Sequence, residues 1–287
     1  MFNFKIGVMT DSFRVPLIEG IKKAKSLGAE GIQVYATKGE MAPENLSKTQ
    51  RRDILDRIKS EGLVISALCG DLGGHGFMHE DDNDWRIEKS KRIMDLAREL
   101  ETDVVTTHIG VVPEDERVQR YSVMQKACFE LAQYGDEVGA SFAIETGPET
   151  APVLRRFLDS LGAKGVRVNL DPANFVMVTG DDPVEAVKIL APYIVHTHAK
   201  DGIRLLKKSP EVIYGVSDIE DEIQTGEAFR EVPLGQGGVD FPAYLKALHD
   251  IGYSGFLTIE REVGDNPEKD IQLAVEFLND QIRKLNA

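Results

Sequence analysis

Short apolar segments rich in β-branched residues alternate along the chain with longer amphipathic segments. The apolar segments predict eight strands, at 5–10, 31–36, 64–70, 103–110, 141–147, 166–172, 193–201 and 255–262. Helical periodicity between them predicts helices at 15–27, 48–61, 86–100, 117–138, 151–161, 183–191, 240–250 and 267–285. Glycines after several of these segments indicate where the helices end.

This alternation of strands and helices predicts the class of fold. A strand followed by a helix, repeated along the chain, predicts a parallel sheet, because parallel strands need a crossover between them. Eight such units in 287 residues favour an α/β fold of the (β/α)₈ TIM-barrel type, in a single domain over 1–287. An open doubly wound sheet is the alternative. The glycine-rich GxGxxG turn is absent after the first strand, which disfavours it.

One connection, at about 202–238, is much longer than the other connections between the predicted strands and helices. It contains an acidic stretch at 218–222 and ends in the sequence PLGQGG at 233–238. A loop of this length in a compact barrel is usually functional. Two interpretations remain open: a surface insertion, and a lid or subunit contact over the mouth of the barrel.

The charge balance limits the partners of the chain. It has 34 Lys and Arg against 48 Asp and Glu, a formal net charge of −14. Because no strong basic cluster is present, we expect no nucleic acid and no membrane as partners. The N-terminal segment lacks a signal-peptide pattern, and no apolar stretch approaches the roughly 18 residues of a membrane helix. Cys69 and Cys128 form no CxxC pair, which together with these features favours a cytoplasmic location.

The strand ends carry the candidate chemistry, because TIM barrels place active sites at the C-terminal ends of their strands. Strand five ends at Glu145, strand six at Asp171, strand seven with His196 and His198, and strand eight at Glu260. A carboxylate in an apolar strand is costly unless it is paired or binds a metal. Two Glu, one Asp and one His suit Mn²⁺ or Mg²⁺, with Co²⁺ also compatible. The alternative is that each residue is a structural ion-pair partner.

The same segments resemble the xylose-isomerase-like superfamily of sugar (phosphate) isomerases and epimerases. The resemblance rests on AIETG at 143–147, VNLDPAN at 168–174, HTHAKD at 196–201, PLGQGGVDF at 233–241 and GFLTIERE at 255–262. It implies that Glu145, Asp171, His198 and Glu260 hold one divalent metal, with Mn²⁺ expected first. His198 is preferred to His196 because the ligand in the family stands two residues before Lys-Asp.

The resemblance also implies a reaction. The metal would polarise a substrate carbonyl, and Glu145 and Glu260 would exchange a proton through an enediolate. This predicts a sugar isomerase or epimerase, with a small-molecule sugar as partner and an oligomer of identical chains. A lyase or dehydratase acting on a keto-sugar or keto-inositol is the alternative. Asn174 replaces a His common in the epimerases, and this disfavours a ketose 3-epimerase, since an amide cannot act as an acid.

Five further residues are candidates for substrate binding, and each has a structural alternative. The candidates are His108, Asn174, Lys200, Arg261 and Glu149. His108 also fits a structural role, and Lys200 could stabilise an enediolate or pair with Asp201. Arg261 could form a salt bridge instead, and Glu149 could be an acid at a helix N-terminus.

Two other function classes are disfavoured. An apurinic endonuclease shares the fold but needs three zinc ions and many His ligands, whereas this chain has six His and a net charge of −14. A catalytically silent barrel that binds a sugar or a protein would not require the set of four ligands.

Overall fold

The eight predicted strands form a closed parallel barrel. The computed structural model describes residues 1–217 and 226–287. The barrel strands are β1 Lys5–Met9, β2 Gly31–Tyr35, β3 Val64–Cys69, β4 Val104–Thr107, β5 Ser141–Glu145, β6 Val166–Leu170, β7 Ile194–Ala199 and β10 Phe256–Ile259. Closure occurs where β1 pairs in parallel with both β10 and β2. The prediction of a TIM barrel is therefore confirmed.

Helices follow the strands and surround the barrel. They are α1 Leu17–Ser26, α2 Lys48–Ser60, α3 Asn83–Glu99, α4 Gln119–Val138, α5 Ala151–Leu161, α6 Pro172–Asn174, α7 Pro183–Leu190, α8 Pro210–Ile213, α9 Phe241–Asp250 and α10 Pro267–Leu285. The eight longer helices overlap the predicted segments. The single turns α6 and α8 were not predicted, because they are too short for a helical period to show. Gly139 and Gly162 end α4 and α5 in the left-handed conformation, as their positions predict.

Helix α5 shows how the core is built. Its buried residues Val153, Leu154, Phe157, Leu158 and Leu161 recur at helical spacing and form its buried face. Burial of such a side chain contributes about 1.5–3 kcal/mol. The helices thereby pack on the outer face of the barrel and fix the positions at which the strands end.

The connection at 202–238 contains secondary structure that was not predicted. Strand β8 Asp201–Arg204 pairs antiparallel with β9 Phe229–Val232. The Asp201 carboxylate accepts backbone N–H groups of Gly202, Gly235, Gly237 and Val239, and so fixes the PLGQGG segment to the barrel. A side chain at Gly237 would collide with this carboxylate. The acidic stretch 218–222 lies outside the described residues.

Within the described ranges, no helix combines the length and the apolar character that crossing a membrane requires.

Candidate metal centre

Four side chains from neighbouring strands converge at the C-terminal end of the barrel. Glu145 is the last residue of β5, Asp171 follows β6, His198 lies in β7 and Glu260 follows β10. One nitrogen or oxygen atom from each lies within 4.8 Å of the others, and all four residues are buried. The barrel therefore brings together the four residues that the resemblance implies as ligands.

The distances within this cluster are those of donor atoms around a common centre. Nδ1 of His198 lies 3.3 Å from Oε2 of Glu260, 3.4 Å from Oε1 of Glu145 and 3.6 Å from Oδ2 of Asp171. Both His198 Nδ1 and Asp171 Oδ2 are buried and lack a hydrogen-bond partner among the described residues. Unpaired buried polar atoms are costly. Three carboxylates and one imidazole fit a divalent cation such as Mn²⁺ or Mg²⁺.

The backbone after β6 orients Asp171. Its Oδ1 accepts the N–H groups of Ala173 at 2.8 Å and Asn174 at 3.1 Å, at the start of α6. Because Oδ1 is occupied in this way, the other oxygen, Oδ2, remains free to face the cluster.

Gln33 on β2 fixes the proton of His198. The Gln33 amide nitrogen donates to Oγ1 of Thr106 at 2.8 Å, so its Oε1 faces Nε2 of His198 at 3.0 Å. We therefore assign a proton to Nε2, which leaves Nδ1 as the ring nitrogen that faces the carboxylates. No sequence pattern identified Gln33 as a site residue, because it is a single amide within the strand GIQVY.

His196, the other histidine of β7, contacts the cluster indirectly through Asn169. Nδ1 of His196 donates to Oδ1 of Asn169 at 2.8 Å, and Nε2 accepts from Thr258 at 2.9 Å. Asn169 in turn donates to Oε2 of Glu145 at 3.2 Å. Burial holds the pKa of His196 well below its usual value, which agrees with a neutral ring. His196 thus lies outside the group of converging atoms.

The electrostatics of the cluster also fit a cation. Burial by itself lowers the pKa of His198, but Glu260 and Glu145 outweigh burial and raise that pKa well above the usual value. Burial likewise opposes the charge of Lys200, yet the carboxylates led by Glu260 and Asp171 raise its pKa well above normal. The site therefore holds an excess of negative charge.

Lys200 pairs with glutamates, and the suggested pairing with Asp201 is wrong. Its Nζ lies 3.0 Å from Oε2 of Glu260 and 3.9 Å from Oε2 of Glu231, and it also contacts Glu262. Asp201 is instead occupied by the four backbone N–H groups described above. This arrangement places a buried cation directly beside one of the clustered carboxylates.

Arg261 forms the salt bridges that were the alternative to substrate binding. Its Nη1 lies 2.6 Å from Oε1 of Glu231, and its Nε lies 2.8 Å from Oδ2 of Asp270. Glu231 lies on β9, so these contacts attach the inserted hairpin to the end of β10. The sequence offered no signal for Glu231, because its partners are distant along the chain.

A cavity of about 630 Å³ opens above the cluster. His108, Asn174, Lys200 and Arg261 line it, together with Tyr214 from the inserted segment. Nε2 of His108 lies 3.6 Å from Oε1 of Glu145, and Nδ2 of Asn174 donates to the carbonyl oxygen of Thr146 at 3.0 Å. Glu149 lines a neighbouring cavity instead. It precedes α5 and accepts the backbone N–H of Val112 at 3.4 Å.

With this geometry established, comparison with known proteins identifies the family. Residues 21–281 match the family model described as xylose isomerase-like TIM barrel, and the chain belongs to that family. A xylose isomerase domain protein from Planctomyces limnophilus superposes with a TM-score of 0.81 at 26% identity, covering 100% of this chain and 99% of that protein.

Two relatives carry the names of different activities. The 3-dehydroshikimate dehydratase of Bacillus anthracis is 24% identical over 254 residues, which is 86% of this chain and 87% of the relative. An L-ribulose-5-phosphate 3-epimerase assigned in Escherichia coli is 25% identical over 275 residues, 91% of this chain and 89% of the relative. The family of this chain thus includes sugar epimerases, isomerases and a dehydratase.

Proposed function

We propose that this protein is a divalent-metal-dependent sugar isomerase or epimerase that moves a proton beside the carbonyl group of a keto- or aldo-sugar. The observation that carries the proposal is the convergence of Glu145, Asp171, His198 and Glu260, with two unpartnered donor atoms, beside a cavity that Glu145 and Glu260 line. We assign these four residues as ligands, with Mn²⁺ as the first candidate and Mg²⁺ or Co²⁺ as alternatives.

The side chains around the cluster suit proton transfer. When bound, a divalent cation supplies polarisation of a substrate carbonyl and thereby acidifies the adjacent C–H bond. Glu145 and Glu260 then serve as the base that removes the proton and the acid that returns it. Strands β6 and β7 lie between the strands that carry them, so the two carboxyl groups approach the cavity from different directions. Removal of a proton from one face of a carbon and its return to the opposite face, as in epimerisation, uses such an arrangement.

The described cavity favours an unphosphorylated sugar. Its basic side chains Lys200, Arg261 and Arg230 are all engaged with carboxylates, Arg230 with Glu227 at 2.6 Å. A phosphate group would have to compete with these carboxylates. The hydroxyl groups of a neutral sugar can instead bind the paired side chains, together with His108 and Asn174.

The inserted segment supports the interpretation of a lid. Tyr214 and Phe229–Glu231 line the same cavity as Glu145 and Glu260. The ion pairs of Glu231 with Arg261 and Lys200 hold β9 against the strand ends. We propose that this segment covers the bound sugar and excludes water from it.

A metal-dependent lyase is the second candidate. The similarity to the 3-dehydroshikimate dehydratase favours it, and so does Asn174, whose amide cannot supply a proton. The first proton removal would be the same, and the β-hydroxyl group of a keto-sugar or keto-inositol would then leave as water, taking up a proton from the acid of the pair. Products therefore distinguish the two candidates, and the ligand set does not.

Exchange of substrate protons with solvent tests the proposal directly. The Mn²⁺-loaded protein would be incubated in D₂O with D-fructose, L-ribulose, L-ribulose 5-phosphate, a methyl 3-ketoglucoside and 3-dehydroshikimate, and followed by NMR. We expect deuterium beside the carbonyl of one unphosphorylated keto-sugar, and loss of this exchange in Glu260→Gln. Glu185→Gln, at an exposed helical pair, is the matched control. An unsaturated product would identify the lyase, whereas bound metal with neither exchange nor product would refute both candidates.

A further inference from the structure

A second cavity, of about 580 Å³, lies between the barrel and the inserted segment. Its volume is within the range of about 300–1,000 Å³ that small-molecule sites occupy. None of the four clustered ligands lines it, so it is distinct from the metal centre. The segments after β4 and β5 contribute an apolar part of the lining, which consists of Val111, Val112, Pro113, Pro148 and Val153.

The inserted segment contributes three basic side chains to this lining, Arg204, Lys207 and Lys208. Within residues 1–217 and 226–287, none of the three forms an ion pair. Nη1 of Arg204 donates to the carbonyl oxygen of Thr179 at 3.0 Å, and Nζ of Lys208 donates to that of Gly226 at 2.8 Å. These neutral oxygens orient the side chains without cancelling their charges. Nε of Arg204 is also buried without a hydrogen-bond partner among the described residues.

The acidic side chains of the lining do not balance these cations. Glu211 is already paired with Arg120. Glu149 is 5% exposed, and burial raises its pKa to about 8, so the group is mainly uncharged at pH 7. Glu114, which is exposed, is the one carboxylate of the described lining that remains charged and unpaired. The cavity therefore has an excess of positive charge, although the chain as a whole is acidic.

Glu149 is the second feature that indicates a ligand. Its Oε2 accepts the N–H of Val112 at 3.4 Å, whereas its Oε1 is buried and has no partner within the described ranges. An unpaired buried polar atom is costly. A protonated carboxyl group has an O–H to donate, and an anionic oxygen is the strongest acceptor that it could meet. The uncharged acid and the unpaired cations thus favour the same kind of ligand.

We propose that the second cavity binds a small organic anion. Its carboxylate or phosphate group would lie against Arg204, Lys207 and Lys208 and accept a hydrogen bond from Glu149. A short apolar part of the ligand would pack on the valines and prolines of the barrel side. The inference does not depend on the proposed reaction, because the metal centre contributes nothing to this lining.

Four probes of similar size that differ in charge test the inference: pentanoate, butyl phosphate, pentanamide and pentylamine. Calorimetric titration of the Mg²⁺-loaded protein at pH 7 and low ionic strength measures their binding without turnover. At least one anion is expected to bind with a dissociation constant of about 1 mM or below. The amide and the amine should bind at least about tenfold more weakly, because they lack the charge-assisted contacts. The preference between the two anions distinguishes a carboxylate site from a phosphate site.

Variants of the lining locate the bound anion. The double variant Lys207→Gln, Lys208→Gln should weaken binding of the preferred anion about tenfold. Lys22→Gln, Lys25→Gln removes the same net charge from exposed positions on α1 and should bind as wild type does. Glu149→Leu should also weaken binding, because it removes the donor. Stronger binding in Glu149→Leu would instead show a repelling carboxylate and would overturn the assignment of Glu149.

A variant of the metal centre separates the two sites. Glu260→Gln should retain binding of the anion, whereas an anion held at the metal would be lost there and kept in the lysine variants. The inference is overturned if neither anion binds to wild type or if pentanamide binds as tightly as the anions. It is also overturned if the Lys207 and Lys208 double variant binds as tightly as the control on α1.

Discussion

Gln33 and His198 are joined by a 3.0 Å hydrogen bond across the interior of the barrel, from β2 to β7. The Gln33 amide is itself held by Thr106, so its orientation is not free. The bond keeps a proton on Nε2 and directs Nδ1 at the three carboxylates. A ligating histidine generally depends on such a partner for its orientation and basicity.

Replacing Gln33 should therefore weaken metal binding without removing a ligand. For Gln33→Met we expect the Mn²⁺ dissociation constant to rise by about 10–100-fold, as for other partners of ligating side chains. Calorimetric titration of the metal-free protein measures this without reference to activity. Gln125→Met, at a half-buried glutamine on α4 whose amide donates to Ser160, is the matched control. Equal dissociation constants for the two variants would show that Gln33 does not position His198.

Lys200 should be needed for stability as well as for the site. Its side chain is 3% exposed and faces Glu260 and Glu231, which would remain buried without a cation in Lys200→Met. Removal of one partner from a buried ion pair typically costs about 3–5 kcal/mol. Lys188→Met, which breaks an exposed pair with Glu185, should cost about 0–1 kcal/mol. Urea unfolding of the metal-free proteins compares the two, and similar losses would contradict the network.

The strand ends could be predicted because they break a strong local pattern. Glu145 and Glu260 interrupt apolar segments, where an isolated charge is unfavourable, and the barrel topology requires such ends to meet. The same reasoning could not find Gln33 or Glu231. A neutral amide in a strand, or an acid in a long connection, has many local explanations, and their partners are distant in sequence.

The inserted hairpin was missed for a related reason. β8 and β9 are only four residues long each and are separated by most of the 202–238 connection, so no turn signal joins them. The pairing is stabilised by the contacts of Asp201 with the PLGQGG backbone. Charge alone also gave the wrong partner for Lys200, since adjacent residues in a strand point to opposite faces.

Metal should stabilise the protein only when Asp171 can act as a ligand. Asp171→Asn keeps an N-cap acceptor for α6 but loses the carboxylate charge. With Mn²⁺ at about 100 times its dissociation constant, wild type should gain about 2.7 kcal/mol, seen as a rise of several degrees in Tm. Asp240→Asn makes the same change at the cap of α9 and should retain the rise. A full rise in Asp171→Asn would argue against the assigned ligand set.

Glu149 should make the stability of the protein fall as pH increases. Burial raises the pKa of Glu149 from 4.5 to about 8 in the folded chain. In the unfolded chain the carboxyl group ionises near its ordinary pKa of about 4.3, so the unfolded state gains its charge first. The stabilisation is present below pH 4 and is lost progressively as pH rises through 8.

Glu149→Gln removes this titration, so its unfolding free energy should depend less on pH than that of wild type. Between pH 4 and pH 8 the unfolding free energy of wild type should fall by a few kcal/mol relative to that of Glu149→Gln, on the order of 1.4 kcal/mol for each unit of pKa difference. Urea unfolding at a series of pH values measures it. If the unfolding free energies of wild type and Glu149→Gln changed with pH in the same way, the Glu149 carboxyl group would already be ionised at neutral pH.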